Sequence, residues 1–366
     1  MAQAAQLAER ARRRTPPNPW VGAIVVAHGT VVGRGATEPP GQRHAEIVAL
    51  HEAGDAARGA TLYATLEPCS HQGRTGPCVD AILAAGIARV VVAVEDPDVQ
   101  VAGRGIGRLR DGGVTVDVGV GEPAVREQLA PYLHHRRTGR AFCLVKTALS
   151  VDGRTAAADG SSQWITGRVA RRDAHTLRAD SQAVVVGAGT ALADRPSLTV
   201  REIDPPVEHA PLRVVLDARG RVPATGPLFD ADLAPTLVIT TEAAAAAAVD
   251  EWRAAGAKVE TVHAGPGGVD LSAALGVLGG HGVLQAMVEG GATVHGALLA
   301  AGLVDRLVVY VGAALLGADG APAFAGPSPP TIAHAHRLAL RAATPLGDDV
   351  RLDYVPAPVH AHEANG

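Results

Sequence analysis

Three side chains with metal-ligating chemistry stand near one another in the first quarter of the chain: His44, Cys69 and Cys78. One imidazole and two thiolates are soft donors that suit zinc. A set of three leaves the fourth tetrahedral position open, which marks a catalytic rather than a structural ion. Zinc held in this way brings the pKa of its water to about 7, so hydroxide is available at neutral pH. Glu46, two residues past His44, is placed to move protons to and from that site. The chain has three cysteines and two fall here; Cys143, in the apolar run 141–148, reads as an ordinary buried thiol.

His44-Ala45-Glu46 followed by Pro68-Cys69 resembles the signature of the zinc deaminases, in which the glutamate shuttles protons and does not bind metal. Most of them close the site with Cys-x-x-Cys, whereas here eight residues separate Cys69 from Cys78. A second stretch has a different chemistry. The apolar run 283–288 leads into Glu289-Gly290-Gly291-Ala292-Thr293-Val294-His295-Gly296, with a helix predicted from Ala297. A strand, a glycine pair and a helix start together form an anion cradle, because backbone N–H groups point at a phosphate and glycine lets it approach. The spacing is not that of a Rossmann fingerprint, and a tight turn using glycine for conformation alone is the competing explanation. Glu289, at the end of a buried strand, needs a partner for its carboxylate. Residues 190–201 read as a polar loop rich in ligand-capable side chains, and Trp164 is one of few aromatics.

Positioning these groups requires alternating strands and helices. Residues 21–27 and 31–35 read as a hairpin turning at His28-Gly29, 44–53 as a helix, 61–65 as a strand, 79–85 as a helix and 90–94 as a buried strand. A further helix ends over 109–112 before a strand at 114–118. This is an α/β layered sandwich in which His44 and Cys78 sit near helix starts and Cys69 follows a strand end. Residues two apart on a regular helix do not share a face, so His44 and Glu46 converge only in an irregular first turn. Past a boundary near Arg136-Arg137-Thr138-Gly139, strands are predicted at 142–150, 183–186, 213–216, 236–239, 259–262, 282–288 and 307–311, with helices at 168–179 and 243–255. The expected division is a first domain over 1–138, a second over 139–356 and a disordered tail over 357–366. Residues 1–14 lack the apolar region of a signal peptide and read as a short surface helix.

The 366 residues carry a formal charge of −4 and only 3% aromatic side chains, so neither a basic field nor stacking rings favour nucleic acid. Three cysteines cannot build a disulfide framework. No apolar run approaches the ~20 residues of a membrane helix. The composition therefore points to a cytoplasmic enzyme acting on small molecules, with no nucleic-acid or membrane partner.

Several stretches together resemble the bifunctional riboflavin-biosynthesis deaminase–reductases. They are Thr15-Pro16-Pro17-Asn18-Pro19-Trp20, Arg43-His44-Ala45-Glu46, Thr65-Leu66-Glu67-Pro68-Cys69-Ser70-His71-Gln72-Gly73-Arg74-Thr75-Gly76-Pro77-Cys78 and Val101-Ala102-Gly103-Arg104-Gly105 in the first half. In the second half they are Ser150-Val151-Asp152-Gly153-Arg154, Ser162-Gln163-Trp164-Ile165-Thr166, the 190–201 segment and Glu289-Gly290-Gly291. The long Cys69–Cys78 spacing belongs to this branch of the zinc deaminases. The resemblance implies an α/β protein, with a cytidine-deaminase-like αβα sandwich followed by a dihydrofolate-reductase-like α/β domain. It implies a zinc-dependent hydrolytic deamination of 2,5-diamino-6-ribosylamino-4(3H)-pyrimidinone 5′-phosphate, then NADPH-dependent reduction of the ribose to a ribityl chain, in a homo-oligomer (dimer or tetramer). It also implies residue roles. Zinc falls to His44, Cys69 and Cys78, and proton transfer to Glu46. Asn18 contacts the base, and His71 and Arg74 the substrate phosphate. In the reductase, Ser162, Arg178, Leu198, Arg201 and Glu289 contact substrate. NADPH contacts fall on Ala148, Trp164, Thr190, Asp194 and Ala218, and on Gly291, Ala292, Thr293, Val294, His295, Gly296 and Ala297. Three positions depart from the family pattern: Asp98 for an asparagine, Ala218 for a polar residue and Arg195 for an acidic one. No unambiguous clamp for a cofactor 2′-phosphate can be picked out. Two other readings are a paralogue acting on a related pyrimidine or pterin, and a nucleic-acid-binding protein built on a deaminase fold.

Overall fold

The computed structural model describes residues 1–72, 76–327 and 329–357. Arg74 and nearly all of the tail assigned to 357–366 lie outside the described residues. The chain forms two units: Met1–Ala141 with Gly282–Leu284, and Phe142–His281 with the segment from Gln285 onward. Among the described residues no helix is long and apolar enough to cross a membrane.

The first unit runs α1 (Ala2–Ala11), β1 (Gly22–Ala27), β2 (Thr30–Ala36), α2 (Ala45–Ala53), β3 (Thr61–Leu66), α3 (Cys78–Ala84), β4 (Arg89–Val94), α4 (Arg104–Asp111), β5 (Thr115–Val118), α5 (Glu122–Gln128) and α6 (Ala130–Thr138). Its sheet has the order β2-β1-β3-β4-β5, with β1 antiparallel to both neighbours and β3, β4 and β5 parallel. His28 and Gly29 turn the first hairpin with positive φ at both positions (49° and 77°), which matches the twist of the flanking strands. Leu62, Val90 and Val92 from the sheet and Val79, Ile82 and Leu109 from the helices are fully buried in one core.

Small residues set the position of α2. A Cβ on Gly33 or Gly35 of β2 would come within 2.1 or 2.0 Å of the carbonyl oxygens of Ala49 or Ala45, so the helix backbone lies directly on the strand. Ala45, Ala49 and Ala53 form the face that permits this approach. The first helix uses the same device. Ala4 and Ala8 are fully buried, and a Cβ on Gly22 would stand 1.9 Å from the Ala4 carbonyl oxygen. One face of α1 is thus a layer of the sandwich, where an alanine-rich sequence reads only as surface helix.

The second unit continues with β6 (Phe142–Ser150), β7 (Arg154–Ala156), α7 (Arg168–Ala179), β8 (Ala183–Gly187), α8 (Ala188–Asp194), β9 (Leu212–Leu216), β10 (Thr236–Thr240), α9 (Ala246–Ala254), β11 (Lys258–Thr261), β12 (Ala264–Gly265), β13 (Gly268–Val269), α10 (Leu271–Gly280), β14 (Gln285–Gly290), α11 (Ala292–Ala300), β15 (Arg306–Gly312), β16 (Ala321–Pro322), β17 (Leu338–Leu346) and β18 (Asp349–Pro356). Its main sheet has the order β11-β10-β9-β8-β14-β6-β15-β18-β17. It is parallel from β11 to β15 and closes with the antiparallel pairs β15–β18 and β18–β17. Two expectations are corrected here. The start of the 190–201 loop is helical, as α8, and α11 begins at Ala292 rather than at Ala297.

Candidate active sites

In the first unit, His44 is the residue before α2 and keeps an extended backbone (φ −75°, ψ 160°), so it is not bound by helical geometry. Glu46 lies in the first turn of α2, Cys69 follows β3, and Cys78 is the first residue of α3. Helix starts and a strand end therefore deliver the three donors to one point. Cys69 Sγ and Cys78 Sγ lie 3.5 and 3.3 Å from His44 Nδ1, and the three ligand atoms all fall within 4.8 Å of one another. The Cys78 N–H donates to Cys69 Sγ at 3.3 Å. Of the two thiols Cys69 ionises first, at about 4, because Cys78 and His44 hydrogen-bond its sulfur against the cost of burial. Cys78 is pushed up by that same bond and by burial. A dication at this point removes the conflict, since it allows both sulfurs to be thiolates. The donor types, their number and their spacing fit zinc.

Glu46 is 4% exposed. Burial pushes its carboxyl up to about 7, against the pull of His44 and with a further push from Cys69. His44, Glu46, Cys69, Asn18 and His71 line one cavity of about 420 Å³. The buried Nδ1 of His71 has no hydrogen-bond partner among the described residues. Sequence reasoning did not bring Tyr132 and Arg136 to this cavity. Tyr132 donates to Asp96 at 3.0 Å, and the Arg136 guanidinium stacks 5.0 Å from the Tyr132 ring and pairs with Asp98 at 3.4 Å. Only their place on α6, far along the chain, puts them there.

In the second unit, a register shift between Val288 and Gly290 re-aims Glu289 at the end of β14. Arg178 of α7 meets it with two hydrogen bonds: Nε to Oε1, and a terminal nitrogen to Oε2 at 2.7 Å. Another Arg178 nitrogen donates to the Thr199 carbonyl at 2.9 Å. Burial opposes the Glu289 charge, but Arg178, with help from Lys146 and His175, holds the carboxyl down at about 2. Lys146 on β6 is a half-buried cation that no motif flagged; desolvation lowers its pKa and Glu289 resists the change. Arg201 donates its N–H to His175 and a guanidinium nitrogen to Ser197 Oγ, both at 3.2 Å. Leu198 is 3% exposed and packs in a core cluster, so it is not open to a ligand here.

A second cavity of about 340 Å³ gathers Thr190, Ala218, Gly291, Thr293, Val294 and Ala297. Ala148, Trp164, Asp194, Ala292, His295 and Gly296 do not line it. His295 is buried against Phe324, at 5.7 Å between ring centroids. A Cβ on Gly296 would stand 1.8 Å from the Ala325 carbonyl oxygen, so that face of α11 packs inward. Trp164 is exposed, with the Arg171 guanidinium 4.3 Å from its ring centre, and Ser162 is exposed nearby.

The first cavity and its layered sheet define a zinc-type deaminase, followed in the same chain by an α/β reductase. Residues 1–94 match the model of the cytidine and deoxycytidylate deaminase zinc-binding region, and residues 141–352 match the RibD C-terminal domain. The riboflavin biosynthesis protein RibD of Escherichia coli is 40% identical over 98% of each chain. That of Bacillus amyloliquefaciens is 40% identical over 97% of this chain and 95% of the relative. Among solved structures, Acinetobacter baumannii RibD superposes with a TM-score of 0.87 at 36% identity over 98% of each chain. The deaminase/reductase of Thermotoga maritima gives 0.85 at 30% identity over 98% of this chain and 97% of that one. The chain belongs to the RibD family of bifunctional riboflavin-biosynthesis deaminase–reductases.

Proposed function

We propose that residues 1–138 form the deaminase domain and 139–356 an NADPH-dependent reductase domain. The first would hydrolyse the pyrimidine amine of 2,5-diamino-6-ribosylamino-4(3H)-pyrimidinone 5′-phosphate. The second would reduce the ribose of the resulting 5-amino-6-(5-phosphoribosylamino)uracil to a ribityl chain. The observation that carries this reading is the meeting of one imidazole nitrogen and two thiol sulfurs within 4.8 Å, in the same cavity as a buried carboxyl held near neutrality.

His44, Cys69 and Cys78 hold the zinc ion in this reading. When bound, zinc supplies a water that ionises near neutral pH. Glu46 takes a proton on its carboxylate and returns it to the departing amine; a pKa close to the working pH suits both transfers. Asn18 orients the base, and His71 contributes to the phosphate grip with its Nδ1, which has no hydrogen-bond partner among the described residues. In the reductase, the fork of Arg178 is committed to Glu289 and the Thr199 carbonyl, so Arg178 orients Glu289 while Arg201 is freer to meet a phosphate. The cofactor supplies reducing equivalents, and Gly291 with the start of α11 suits its pyrophosphate. The test is incubation with the phosphorylated diaminopyrimidine, with and without NADPH, followed by mass spectrometry. Exchange of the amine for oxygen without cofactor, and gain of two hydrogens only with NADPH, are the expected outcomes. An unchanged substrate mass under both conditions would refute the assignment.

A further inference from the structure

The first cavity is lined by four carboxyl groups, those of Glu46, Glu67, Asp96 and Asp98, yet the substrate proposed for it carries a phosphate. Arg136 is the one arginine or lysine among its described lining residues. Three of the carboxyl groups have other partners or tasks. Glu46 serves proton transfer, and Glu67 accepts backbone N–H groups from Asp96, Gly103, Gly105 and Ile106. Asp96 accepts the Tyr132 hydroxyl at 3.0 Å and the Asp98 N–H at 2.9 Å. Asp98 differs from these. Its Oδ1 accepts the Gln100 N–H at 3.0 Å, while its Oδ2 faces the Arg136 guanidinium, with Nε 3.4 Å away.

Helix α6 builds this pairing. Tyr132 and Arg136 are four residues apart and share one face of the helix. The Tyr132 ring lies 5.0 Å from the guanidinium, and a terminal nitrogen of Arg136 donates to the Pro17 carbonyl at 3.4 Å. The guanidinium is thus held between the ring, the segment that bears Asn18 and the loop after β4. The Asp98 and Arg136 side chains are 25% and 28% exposed. A charge so placed is screened less than one in open water, so an uncompensated Asp98 carboxylate repels an anion entering the cavity. On the reading of this cavity as the deaminase site, we propose that Arg136 is a positioning residue that sets specificity for an anionic substrate. It neutralises the Asp98 carboxylate and thereby lets the cavity admit a phosphorylated pyrimidine.

The experiment is a double-mutant cycle on the full chain, read as ammonia release from the phosphorylated diaminopyrimidine at low and at high salt. It compares the native protein with Arg136→Met, Asp98→Asn and the double variant. Methionine keeps an apolar side chain on the Tyr132 ring, and asparagine keeps an oxygen for the Gln100 N–H. Arg136→Met should raise KM by about 10-fold at low salt, the effect of one uncompensated charge in a half-buried cavity, with kcat within about twofold of native. The rise should shrink at high salt. Asp98→Asn alone should lower KM, because it leaves a cation without its partner. Adding Asp98→Asn to Arg136→Met should return KM close to the native value. A KM that stays high in the double variant would mean that Arg136 grips the phosphate itself, and would overturn the pairing. An unchanged KM in Arg136→Met would overturn it too, as would a fall in kcat and melting temperature that the double variant does not reverse. Absence of ammonia release by the native protein would instead overturn the reading of the cavity, and the pairing with it.

Discussion

Burial, more than any neighbouring charge, sets the acidity of Glu46, and this decides what a substitution there does. Glu46→Gln keeps the shape and the hydrogen-bonding oxygen but cannot carry the proton. It should retain zinc and lose deamination by ~10²–10⁴-fold, read by elemental analysis beside an ammonia assay. Deamination near the native rate would remove Glu46 from the mechanism. Cys78→Ser acts differently, because it takes one thiolate from a three-donor set. Zinc and ammonia release should fall together, and full metal content in this variant would contradict the ligand assignment. These residues were legible in the sequence because their types and local spacing encode the chemistry. Tyr132, Arg136 and Lys146 were not. Each is a common residue in an ordinary helix or strand, and only the fold brings it to its site.

The elements that hold the cysteines depend on a single carboxylate. Glu67, 4% exposed just beyond β3, accepts N–H groups from Asp96 (3.2 Å), Gly103 (3.0 Å), Gly105 (2.9 Å) and Ile106 (3.1 Å). It thereby joins the end of β3 to the segment after β4 and to the first turn of α4. A Cβ on Gly105 would stand 2.1 Å from the Pro68 carbonyl oxygen, so the Pro68-Cys69 peptide is seated on that turn. Glu67→Gln leaves one acceptor oxygen where there were two. With hydrogen bonds to a charged group at about 1.5–3 kcal/mol each, loss of one or two should lower stability by roughly 3 kcal/mol. Zinc should also become easier to strip with a competing chelator. Unchanged melting and zinc retention would show that Glu67 does not hold the site. Element boundaries were less legible than element types. The start of α11 was hidden by Gly296 and by the β-branched Thr293 and Val294, weak helix formers held in place by packing on Ala325. Strand β17 escaped notice because nearly all of it is exposed or half-exposed, so no apolar alternation marks it.

At the scale of the whole molecule, a buried group in each unit ties stability to pH, and the two act in opposite directions. In the second unit, burial pulls His295 down to about 4, with Lys146 adding to the shift and Glu289 opposing it. The unfolded chain takes up that proton near the ordinary value of 6.5, so it binds more protons than the folded unit between about 6.5 and 4. Stability from the neutral imidazole is present above that window and is lost as pH falls through it, by an amount on the order of 3 kcal/mol. In the first unit, burial raises Asp96 to about 6, in spite of hydrogen bonds from Asp98 and Tyr132. There the folded form binds the proton first, and stability rises as pH falls from about 6 toward 4. His134 of the first unit, lowered by burial to about 4, opposes Asp96 there, whereas His175, lowered likewise, acts with His295. Acidification from neutrality to about pH 5 should therefore weaken the second unit relative to the first. Hydrogen exchange followed by mass spectrometry resolves this, since peptides from β14 and β15 report one unit and peptides from β3 and β4 the other. The β14 and β15 peptides should lose protection on acidification, after correction for intrinsic exchange, while those of β3 and β4 hold theirs. His295→Phe keeps an aromatic ring beside Phe324 but has no proton to bind, so it should reduce the acid response of the second unit to the part that His175 contributes. Equal loss of protection in both units, or an undiminished response in His295→Phe, would show that His295 is not the source of the acid sensitivity.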